Sequence, residues 1–595
     1  MLAPDDRSVL LDLLRPPPGS SLDVAVATTF TLDLEAALVA PLAFAAFDAV
    51  GPGDPVATLE AIRSVASRVT VFCQAGELRV PARASDLFSF LEPVVQPVDR
   101  PRPGFLFHPK LWLLRFVGDD GESLRLIVPT RNLTNDASWD AVLRLDGTAT
   151  GGPKASNRAL ADLVRWCTDN TVGTLSPERT EAVISLVDSV RRAEWEFPDG
   201  VSEIALHALG VGRGATPDFS GRRHLLIAPF LNDAGVALTG PSDDVVLVSR
   251  PEQMELLDPD LLQAIDCRSV ASMGASAVAE AEDADALGKP ADTLGDLHAK
   301  LFIAERGRRA HVFVGSANAT GAAFGGNVEI LVELIGGQKK LGIDAALDDL
   351  GPILEPCSVE GGQEPGEREE LQRELDDLLR AAAVVDLRLT PQVATDGSYR
   401  VQVESSSPLV DSRVGASATI ELLSRPGYAV DVDAGVTRFR PFDGVSLPDL
   451  TPFVVLRVEL QGENESVTGG TVLRGSIVDD PEGRLDAVIA RQVDSPAKFL
   501  RFLFLLLSMA GGTLPPWLRA AVSAEEGTGA ADERRLLDLG VFEAIARGLA
   551  SHPEVLDDLA RLVERLQATD EGRAALPDGF DALWSAVDEA REAIR

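Results

Sequence analysis

The sequence predicts an α/β fold in which one unit of strands and flanking helices occurs twice, followed by a β-sandwich and an α-helical C-terminal domain. In the first half, strand patterns alternate with helical patterns, for example over residues 33–48 and 57–67. A polar-tipped pair of strands recurs there after about 190 residues. From about residue 384 the pattern changes to short strands without intervening helices, and from about 495 it becomes helical.

The later of the two recurring segments, residues 296–320, begins with His298 and Lys300, which lead into an apolar run. After a charged turn, a second apolar run ends at Ser316 and Asn318. Because side chains alternate along a strand, we expect His298 and Lys300 to project to one side. If the two strands form a hairpin, Ser316 and Asn318 reach the same side. An imidazole, a fixed positive charge and two neutral hydrogen-bonding groups suit an anionic phosphate.

The earlier segment, residues 106–145, has the same order of residue types. His108 and Lys110 precede an apolar strand, a glycine-bounded turn leads into a second strand, and Thr130 and Asn132 follow it. Lysine is rare in this chain, so two histidines that are each followed two residues later by a lysine are not readily explained by chance. The four remaining histidines have no repeated context and are expected to be structural or surface residues.

The match extends beyond these strands. SWDAVLRL at 138–145 aligns with NVEILVEL at 327–334, which places Asp140 opposite Glu329. The segments upstream also correspond and bring Phe30 opposite Phe230; both rings are expected in the core. SRVTVFCQ, ending at residue 74, resembles DDVVLVSR, ending at residue 250. We call residues 20–150 the first unit and residues 222–335 the second unit.

Composition narrows the functional classes. The net charge of −37 argues against indiscriminate binding to nucleic acid or to anionic membranes. The tip arginines Arg306, Arg308 and Arg309 are expected to form a solvated hairpin end, with contact to nucleic acid as the alternative.

Four dispersed cysteines favour neither a zinc site nor a disulfide framework. The first residues lack a basic segment before an apolar core, and the apolar run 499–509 is too short to cross a bilayer, so a cytoplasmic protein is expected.

The paired motifs resemble the signature of the phospholipase D superfamily, which is H-x-K, a downstream acid and G-S-x-N. The second unit matches closely, with Gly315 before Ser316, whereas the first has Pro129 before Thr130. The family's aspartate five residues after the lysine is Glu305 in the second unit and Arg115 in the first, and this position usually supports structure. The resemblance covers roughly residues 20–335, and the repetition of the motif makes it specific.

The resemblance implies that both motifs converge on one site, which transfers a phosphodiester through a phosphohistidine with no metal or other cofactor. The catalytic residues would be His108, Lys110, His298 and Lys300. One imidazole attacks phosphorus and the other protonates the leaving oxygen; by family analogy His108 is the nucleophile and His298 the acid. Groups that bind or orient the phosphate would be Thr130, Asn132, Ser316, Asn318, Asp140 and Glu329. The two acids would each hold a histidine tautomer by accepting from a ring nitrogen.

The favoured function is a nuclease that acts on nucleic acid, with DNA preferred to RNA. By family analogy it would belong to a bacterial antiviral defence system and work beside a helicase or ATPase, without a membrane. A lipid phosphodiesterase or phosphatidyl transferase is the second hypothesis. A non-catalytic nucleic-acid-binding or assembly subunit with the same fold is the third, and the unconventional first motif is its best support.

The remaining half shows no catalytic cluster and is interpreted as binding or assembly modules. Ser495 and Pro496 are expected to begin a helix, and Ser551 with Glu554 fits a capping box. The predicted divisions are the first phospholipase D-like repeat at 1–198, the second at 199–358, a linker and helix at 359–383, the β-sandwich at 384–492 and the helical module at 493–595.

Overall fold

The protein is described by a computed structural model and belongs to the α/β class, with several sheets flanked by helices. The structure describes residues 10–38, 65–271, 296–493 and 553–594, with short internal gaps at 120, 136–137, 213–215, 241–243, 412–415 and 578–579, and also residues 44, 63, 495, 496, 498, 499 and 503. The expected helices at 33–48 and 57–67 and the Ser551 cap lie partly or wholly outside these residues.

The first unit forms a seven-stranded sheet in the order β3-β2-β1-β4-β5-β7-β8. Its strands, with the short β6 that lies outside this sheet, are β1 (Ser20–Thr29), β2 (Val69–Gln74), β3 (Val95–Val98), β4 (Leu111–Gly118), β5 (Gly121–Pro129), β6 (Ser138–Trp139), β7 (Val142–Ala149) and β8 (Ala193–Trp195).

The second unit forms an eight-stranded sheet in the order β17-β12-β11-β10-β14-β15-β16-β9. Its strands, with the short β13 that pairs with β6 instead, are β9 (Val201–Leu209), β10 (Arg223–Ile227), β11 (Val245–Val248), β12 (Ile265–Val270), β13 (Asp296–Leu297), β14 (Leu301–Arg306), β15 (Arg309–Gly315), β16 (Glu329–Gly337) and β17 (Leu354–Pro356).

Six strands of each sheet share one order and one set of directions, β3-β2-β1-β4-β5-β7 in the first and β12-β11-β10-β14-β15-β16 in the second. In each sheet three parallel strands are followed by three strands that each run antiparallel to the one before, and the first two of these form a hairpin. This agreement is what two copies of one unit would produce. One hydrophobic cluster contains Val26 and Leu113 of the first sheet together with Leu225 and Val312 of the second, so the sheets share a core.

Both expected hairpins form, but each histidine and lysine precedes its strand rather than lying on it. β14 begins at Leu301, one residue after Lys300, and β4 begins at Leu111, one residue after Lys110. The strands stop there because the chain must leave its own sheet to reach the other unit. The alternation expected for residues on a strand therefore does not apply to the histidine and lysine segments.

Helices cover the outer surfaces and fill the connections. In chain order they are α1 (Leu10–Leu14), α2 (Arg158–Asp169), α3 (Pro177–Arg191), α4 (Asp233–Val236), α5 (Pro251–Met254), α6 (Pro259–Leu262), α7 (Gly321–Gly325), α8 (Gln338–Leu341), α9 (Ile343–Leu350), α10 (Glu367–Ala383), α11 (Arg484–Gln492), α12 (Pro553–Gln567), α13 (Asp570–Ala574) and α14 (Phe580–Ile594). Ser495 accepts a hydrogen bond from the Lys498 amide at 3.4 Å, as expected of an N-cap. None of the described helices is both long enough and apolar enough to cross a bilayer.

Two four-stranded sheets follow α10, with the orders β22-β19-β18-β25 and β21-β20-β23-β24. Their side chains share one hydrophobic cluster, which is the arrangement of two packed sheets. The strands are β18 (Leu387–Val393), β19 (Tyr399–Ser405), β20 (Ser417–Leu422), β21 (Val430–Asp431), β22 (Phe442–Val445), β23 (Phe453–Gln461), β24 (Ser466–Arg474) and β25 (Ser476–Ile477).

The region expected to be a linker, which includes α10, is docked on the first unit. Arg380 of α10 pairs with Glu77 at 2.7 Å, and a Cβ added to Gly76 would lie 2.5 Å from the Arg380 backbone, so only glycine allows this close approach. Gly76 also has a φ of +88°, which favours glycine for a second reason. Because its buried Leu375 and Leu379 pack in the hydrophobic cluster of the two four-stranded sheets, the helix links those sheets to the first unit.

A buried ion pair joins α11 to the first unit. Both oxygens of Glu92 accept from Arg484, at 2.9 and 2.6 Å, and each side chain is only 8% exposed. Burial raises the pKa of Glu92, although the hydrogen bonds and charge of Arg484 oppose this effect. The Thr451 hydroxyl adds a hydrogen bond to Oε1 at 3.1 Å, so Arg484 supplies the opposite charge and most of the hydrogen bonds of this carboxylate.

We expect Arg484→Ala to destabilise the protein by about 3–5 kcal/mol, because it leaves the Glu92 charge buried without a partner. The double variant Glu92→Leu/Arg484→Met should recover most of that loss, since it removes both charges. Urea unfolding followed by circular dichroism measures the change. Arg388→Ala, which breaks an exposed pair with Asp386, serves as the matched control and should shift the midpoint little. A small effect of Arg484→Ala would contradict this account.

Candidate active site

Each histidine segment pairs with the segment that carries the acid of the other unit. Phe107 bridges Val328 in parallel, and the His108 amide donates to the Val328 carbonyl at 2.9 Å. Likewise β13 pairs with β6, and the His298 amide donates to the Trp139 carbonyl at 2.7 Å. Because Glu329 follows Val328 and Asp140 follows Trp139, each histidine is brought beside the acid from the opposite unit.

His108 is held by its two ring nitrogens. Nδ1 lies 2.9 Å from both carboxylate oxygens of Glu329, and Nε2 lies 2.9 Å from the Lys110 ammonium. A carboxylate accepts and an ammonium donates, so Nδ1 carries the ring hydrogen and Nε2 presents its lone pair. The Phe30 ring packs against the imidazole with centroids 5.1 Å apart. The arrangement therefore directs the Nε2 lone pair toward Lys110.

The electrostatic environment keeps this imidazole neutral. Burial lowers the pKa of His108 to about 4; the Glu329 charge opposes this shift, while the charges of Lys110 and Lys300 add to it. Burial, followed by the charge of Lys300, also holds the pKa of Lys110 well below its usual range. That Lys300 acts on both groups shows that side chains of the two units form one charged cluster.

Glu329 is fully buried and receives hydrogen bonds from three side chains. Besides His108, the Ser316 hydroxyl donates to Oε2, and the Asn327 amide donates to Oε1 at 3.2 Å. Ser316 in turn accepts from the Ile330 amide at 2.9 Å. The carboxylate is thereby fixed in position, and with it the ring orientation of His108.

The Thr130 hydroxyl of the first unit has the same role as the Ser316 hydroxyl of the second. It accepts from the Ala141 amide at 2.8 Å, just as Ser316 accepts from Ile330, and in each unit that amide directly follows the acid. Both hydroxyl residues are fully buried. They therefore support the acid-bearing segments Asp140–Ala141 and Glu329–Ile330, which is an orienting role, and their contact with phosphate stays a prediction.

Both lysines are buried and bound to backbone carbonyls. Lys110 donates to the His108 carbonyl at 3.1 Å, and Lys300 donates to the His298 carbonyl at 3.0 Å. Lys300 also donates to the Thr130 carbonyl of the first unit at 3.1 Å. At 1% and 2% exposure, both ammonium groups are far from bulk water. These carbonyls hold both lysine side chains in fixed positions beside the histidines.

The two asparagines of the motifs are alike in one further respect. Among the described residues, the buried Oδ1 atoms of Asn132 and Asn318 make no hydrogen bond. Buried polar atoms without a partner are uncommon in folded proteins and are concentrated at sites that bind water or a ligand. Their equivalent positions after β5 and β15 make both amides candidates for contact with a bound group.

The second histidine is more accessible than the first. Leu297 and Ala299 on either side of His298 are buried, whereas His298 itself is partly exposed and His108 is 8% exposed. Asp140 is also partly exposed. His298 is thus anchored through its neighbours while its side chain keeps access to solvent, which suits a group that exchanges protons.

Three residues that sequence reasoning missed hold these segments in place. Asn327 accepts from the Leu106 amide at 2.9 Å while it donates to Glu329, so it joins the two units. Gln74 accepts from the Phe107 amide at 2.8 Å, and Arg250 donates to the Leu297 carbonyl at 3.2 Å. Gln74 and Arg250 end the aligned segments SRVTVFCQ and DDVVLVSR, so their matched positions were the signal that could have identified them.

The expectation that both matched phenylalanines lie in the core is wrong. Phe230 is 41% exposed, and Phe30 is only partly buried. An arginine lies over each ring: Arg250 is 4.9 Å from the Phe230 centroid, and Arg380 is 5.7 Å from the Phe30 centroid. Both rings follow strands that end beside the site, where the chain leaves the sheet.

The positions at which the two units differ have structural uses. A Cβ on Gly315 would lie 2.1 Å from the Ile330 carbonyl oxygen, so the second unit needs glycine there. Glu305 accepts from the Ile343 amide at 3.0 Å, and Arg115 donates to Asp23 at 2.5 Å and to the Ser185 hydroxyl at 2.9 Å. The replacement of an acid by Arg115 therefore leaves the site itself intact.

The hairpin tip is remote from this cluster along the strands. Arg306 ends β14, whereas Lys300 precedes the start of that strand. Arg306 pairs with Asp218 at 3.1 Å and Arg309 with Glu203 at 3.6 Å. Both side chains are thus matched with acids, as expected for a solvated end.

No group of three or more potential metal-binding side chains occurs among the described residues. The chain matches no protein-family model, and no curated protein matches it significantly in sequence. The functional interpretation therefore rests on the motifs and on the geometry of this site.

Proposed function

We propose that this protein is a phosphodiesterase that cleaves nucleic acid through a covalent phosphohistidine, without a metal ion. The observation that carries the proposal is the contact across the units, in which Glu329 fixes Nδ1 of His108 and leaves Nε2 as the nucleophile. The resemblance to the phospholipase D superfamily agrees with this chemistry and favours DNA as the substrate. A helicase or ATPase partner in antiviral defence belongs to the same proposal.

In the first step, Nε2 of His108 attacks phosphorus and the bond to the leaving oxygen breaks. His298 donates a proton to that oxygen, so the product leaves as an alcohol. In the second step, His298 removes a proton from water, the resulting oxygen attacks phosphorus, and the bond from phosphorus to Nε2 breaks. Both histidines are then restored to their starting forms.

The lysines stabilise the negative charge of the phosphate during both steps. In the free site Lys110 donates to Nε2, the atom that must attack. A non-bridging phosphate oxygen is a better acceptor for this ammonium, so substrate binding turns Lys110 toward the phosphate and uncovers Nε2. Lys300 and the amides of Asn132 and Asn318 supply further hydrogen bonds, while Ser316, Thr130, Asp140 and Glu329 orient the reacting groups.

The decisive experiment is an assay with labelled DNA, RNA and phospholipid vesicles in EDTA. We expect cleavage of nucleic acid to persist in EDTA, because the nucleophile is an imidazole and the fixed charges are lysines. His108→Ala and His298→Ala should each lose nearly all the activity that the double variant loses, since each step needs both groups. Lys110→Ala and Lys300→Ala should each cost on the order of a hundredfold.

His207→Ala and Lys340→Ala are the matched controls, because neither side chain contacts the described cluster, and both should keep wild-type activity. Loss of cleavage in EDTA with rescue by magnesium would overturn the mechanism. Cleavage of phospholipid alone would establish the lipid hypothesis. Tight binding of nucleic acid without any cleavage would establish the non-catalytic hypothesis.

Glu329→Gln tests the contact across the units. A glutamine amide can donate to Nδ1, which would move the ring hydrogen to Nε2 and block attack, so we expect a loss of roughly a thousandfold or more in kcat/KM. Glu333→Gln is the matched control on the same strand: Glu333 bonds His207 at 2.8 Å and His311 at 2.7 Å, away from the nucleophile. Equal losses in the two variants would contradict the role of Glu329.

The pH dependence of kcat/KM tests the state of His108. The neutral imidazole is the nucleophile, and burial lowers its pKa to about 4, so the acidic limb should lie near pH 4 rather than near the usual histidine range. Lys300→Met removes a positive charge that lowers this pKa, and the limb should therefore move to higher pH. A wild-type limb in the usual histidine range, unchanged in Lys300→Met, would refute the assignment.

A further inference from the structure

Phe230 lies in a short loop whose two ends are pinned beside site residues. At one end Ile227 pairs with Leu301, the residue after Lys300. At the other end Leu231 bridges Ala319, the residue after Asn318. Phe230 is therefore held at the boundary of the candidate site, although 41% of its surface is exposed.

Phe30 occupies the equivalent loop of the first unit. Thr28 pairs with Leu111, the residue after Lys110, and Leu32 bridges Leu133, the residue after Asn132. Here the contact with the site is direct, because the Phe30 ring packs on the His108 imidazole at 5.1 Å. Two aromatic rings thus flank the cluster, one from each unit.

Each ring is held by an arginine that has a second attachment. Arg250 lies over Phe230 and donates to the Leu297 carbonyl, next to His298. Arg380 lies over Phe30 and pairs with Glu77. Burial of apolar surface alone would place both rings in the core. The contacts with the arginines instead hold the rings at the boundary of the site.

We propose that Phe230 is a base-stacking residue that receives an unpaired nucleobase next to the scissile phosphate, so that the substrate is single-stranded nucleic acid. This inference rests on the proposed phosphodiesterase function. Aromatic rings beside a phosphate-binding cluster recognise single strands because every base presents a flat π surface. Bases inside a duplex are already stacked and do not reach such a ring.

The proposed chemistry also assigns each ring to the nucleoside on one side of the scissile phosphate. The nucleophile and the leaving oxygen lie on opposite sides of the phosphorus in an in-line displacement. Phe30 contacts the nucleophile His108, whereas Phe230 is linked through Arg250 to the segment of the proton donor His298. Phe230 therefore serves the nucleoside that departs first, and Phe30 serves the one retained on the enzyme.

A chemically simplified substrate tests this assignment. In a short oligothymidylate, all linkages but one are methylphosphonates, and an abasic tetrahydrofuran unit replaces the nucleoside on the 5′ or the 3′ side of the remaining phosphodiester. Because each ring is assigned one nucleoside, we expect each abasic position to lower wild-type kcat/KM by roughly ten- to a hundredfold, the range expected for loss of one stacked base. Phe230→Ala should show a similar loss on the intact substrate and no further loss on one of the two abasic substrates.

Phe230→Trp should retain activity on the intact substrate because it keeps the stacking surface. Phe197→Ala is the matched control, since Phe197 is 54% exposed but lies outside both loops, and it should behave as the wild type. Duplex substrate should be cut more slowly than the single strand. If Phe230→Ala lowers kcat/KM further on both abasic substrates, the stacking inference is overturned, while the phosphodiesterase function is left standing.

The activity of the wild-type protein distinguishes failure of the proposed nuclease function from failure of the stacking inference. If it cuts no phosphodiester in the intact oligonucleotide, the proposed nuclease function itself fails. If it instead hydrolyses phosphatidylcholine vesicles and Phe230→Ala weakens that reaction, the ring contacts lipid and the stacking inference is overturned.

Discussion

Two short backbone pairings between the units determine the site. Phe107 with Val328 and β13 with β6 bring each histidine segment against the segment that holds the acid of the other unit. Neither unit alone contains the pair of His108 and Glu329, so this contact exists only when the units are packed together. The hydrophobic cluster that both sheets share maintains this packing, and the geometry of the site follows from the register of these two pairings.

The same packing buries an unbalanced set of charges. Lys110, Lys300 and Glu329 are each at most 2% exposed, which places two ammonium groups against one carboxylate. Burial disfavours charged groups, and the lowered pKa values of Lys110 and His108 express that cost. In the proposed function, an anionic phosphate would bring negative charge to the two ammonium groups. The free site would then be preorganised for that ligand, as electrostatic sites of enzymes are.

Local patterns predicted the hairpins, the order of elements and the members of the cluster, because these follow from period-two strands and from motifs read twice in one chain. Which acid meets which histidine could not be predicted, since that depends on the register between segments more than 150 residues apart. The exposure of Phe230 was also missed, because an aromatic residue after an apolar strand resembles core in sequence. Asn327, Gln74 and Arg250 each form a hydrogen bond with a backbone atom. Such a bond requires no particular partner side chain, so in the sequence only the matched positions of Gln74 and Arg250 indicated it.

The C-terminal half packs on the first unit, so two units with the same strand order have different surroundings. One hydrophobic cluster joins Trp112 and Leu114 of the first sheet to Leu562 and Phe580 of the C-terminal helices, and Arg380 of α10 lies over Phe30. His108 is buried, whereas His298 and Phe230 in the second unit are more accessible. In the proposed function, a buried imidazole with a depressed pKa suits a nucleophile, and an accessible one suits exchange of protons with a leaving group and with water.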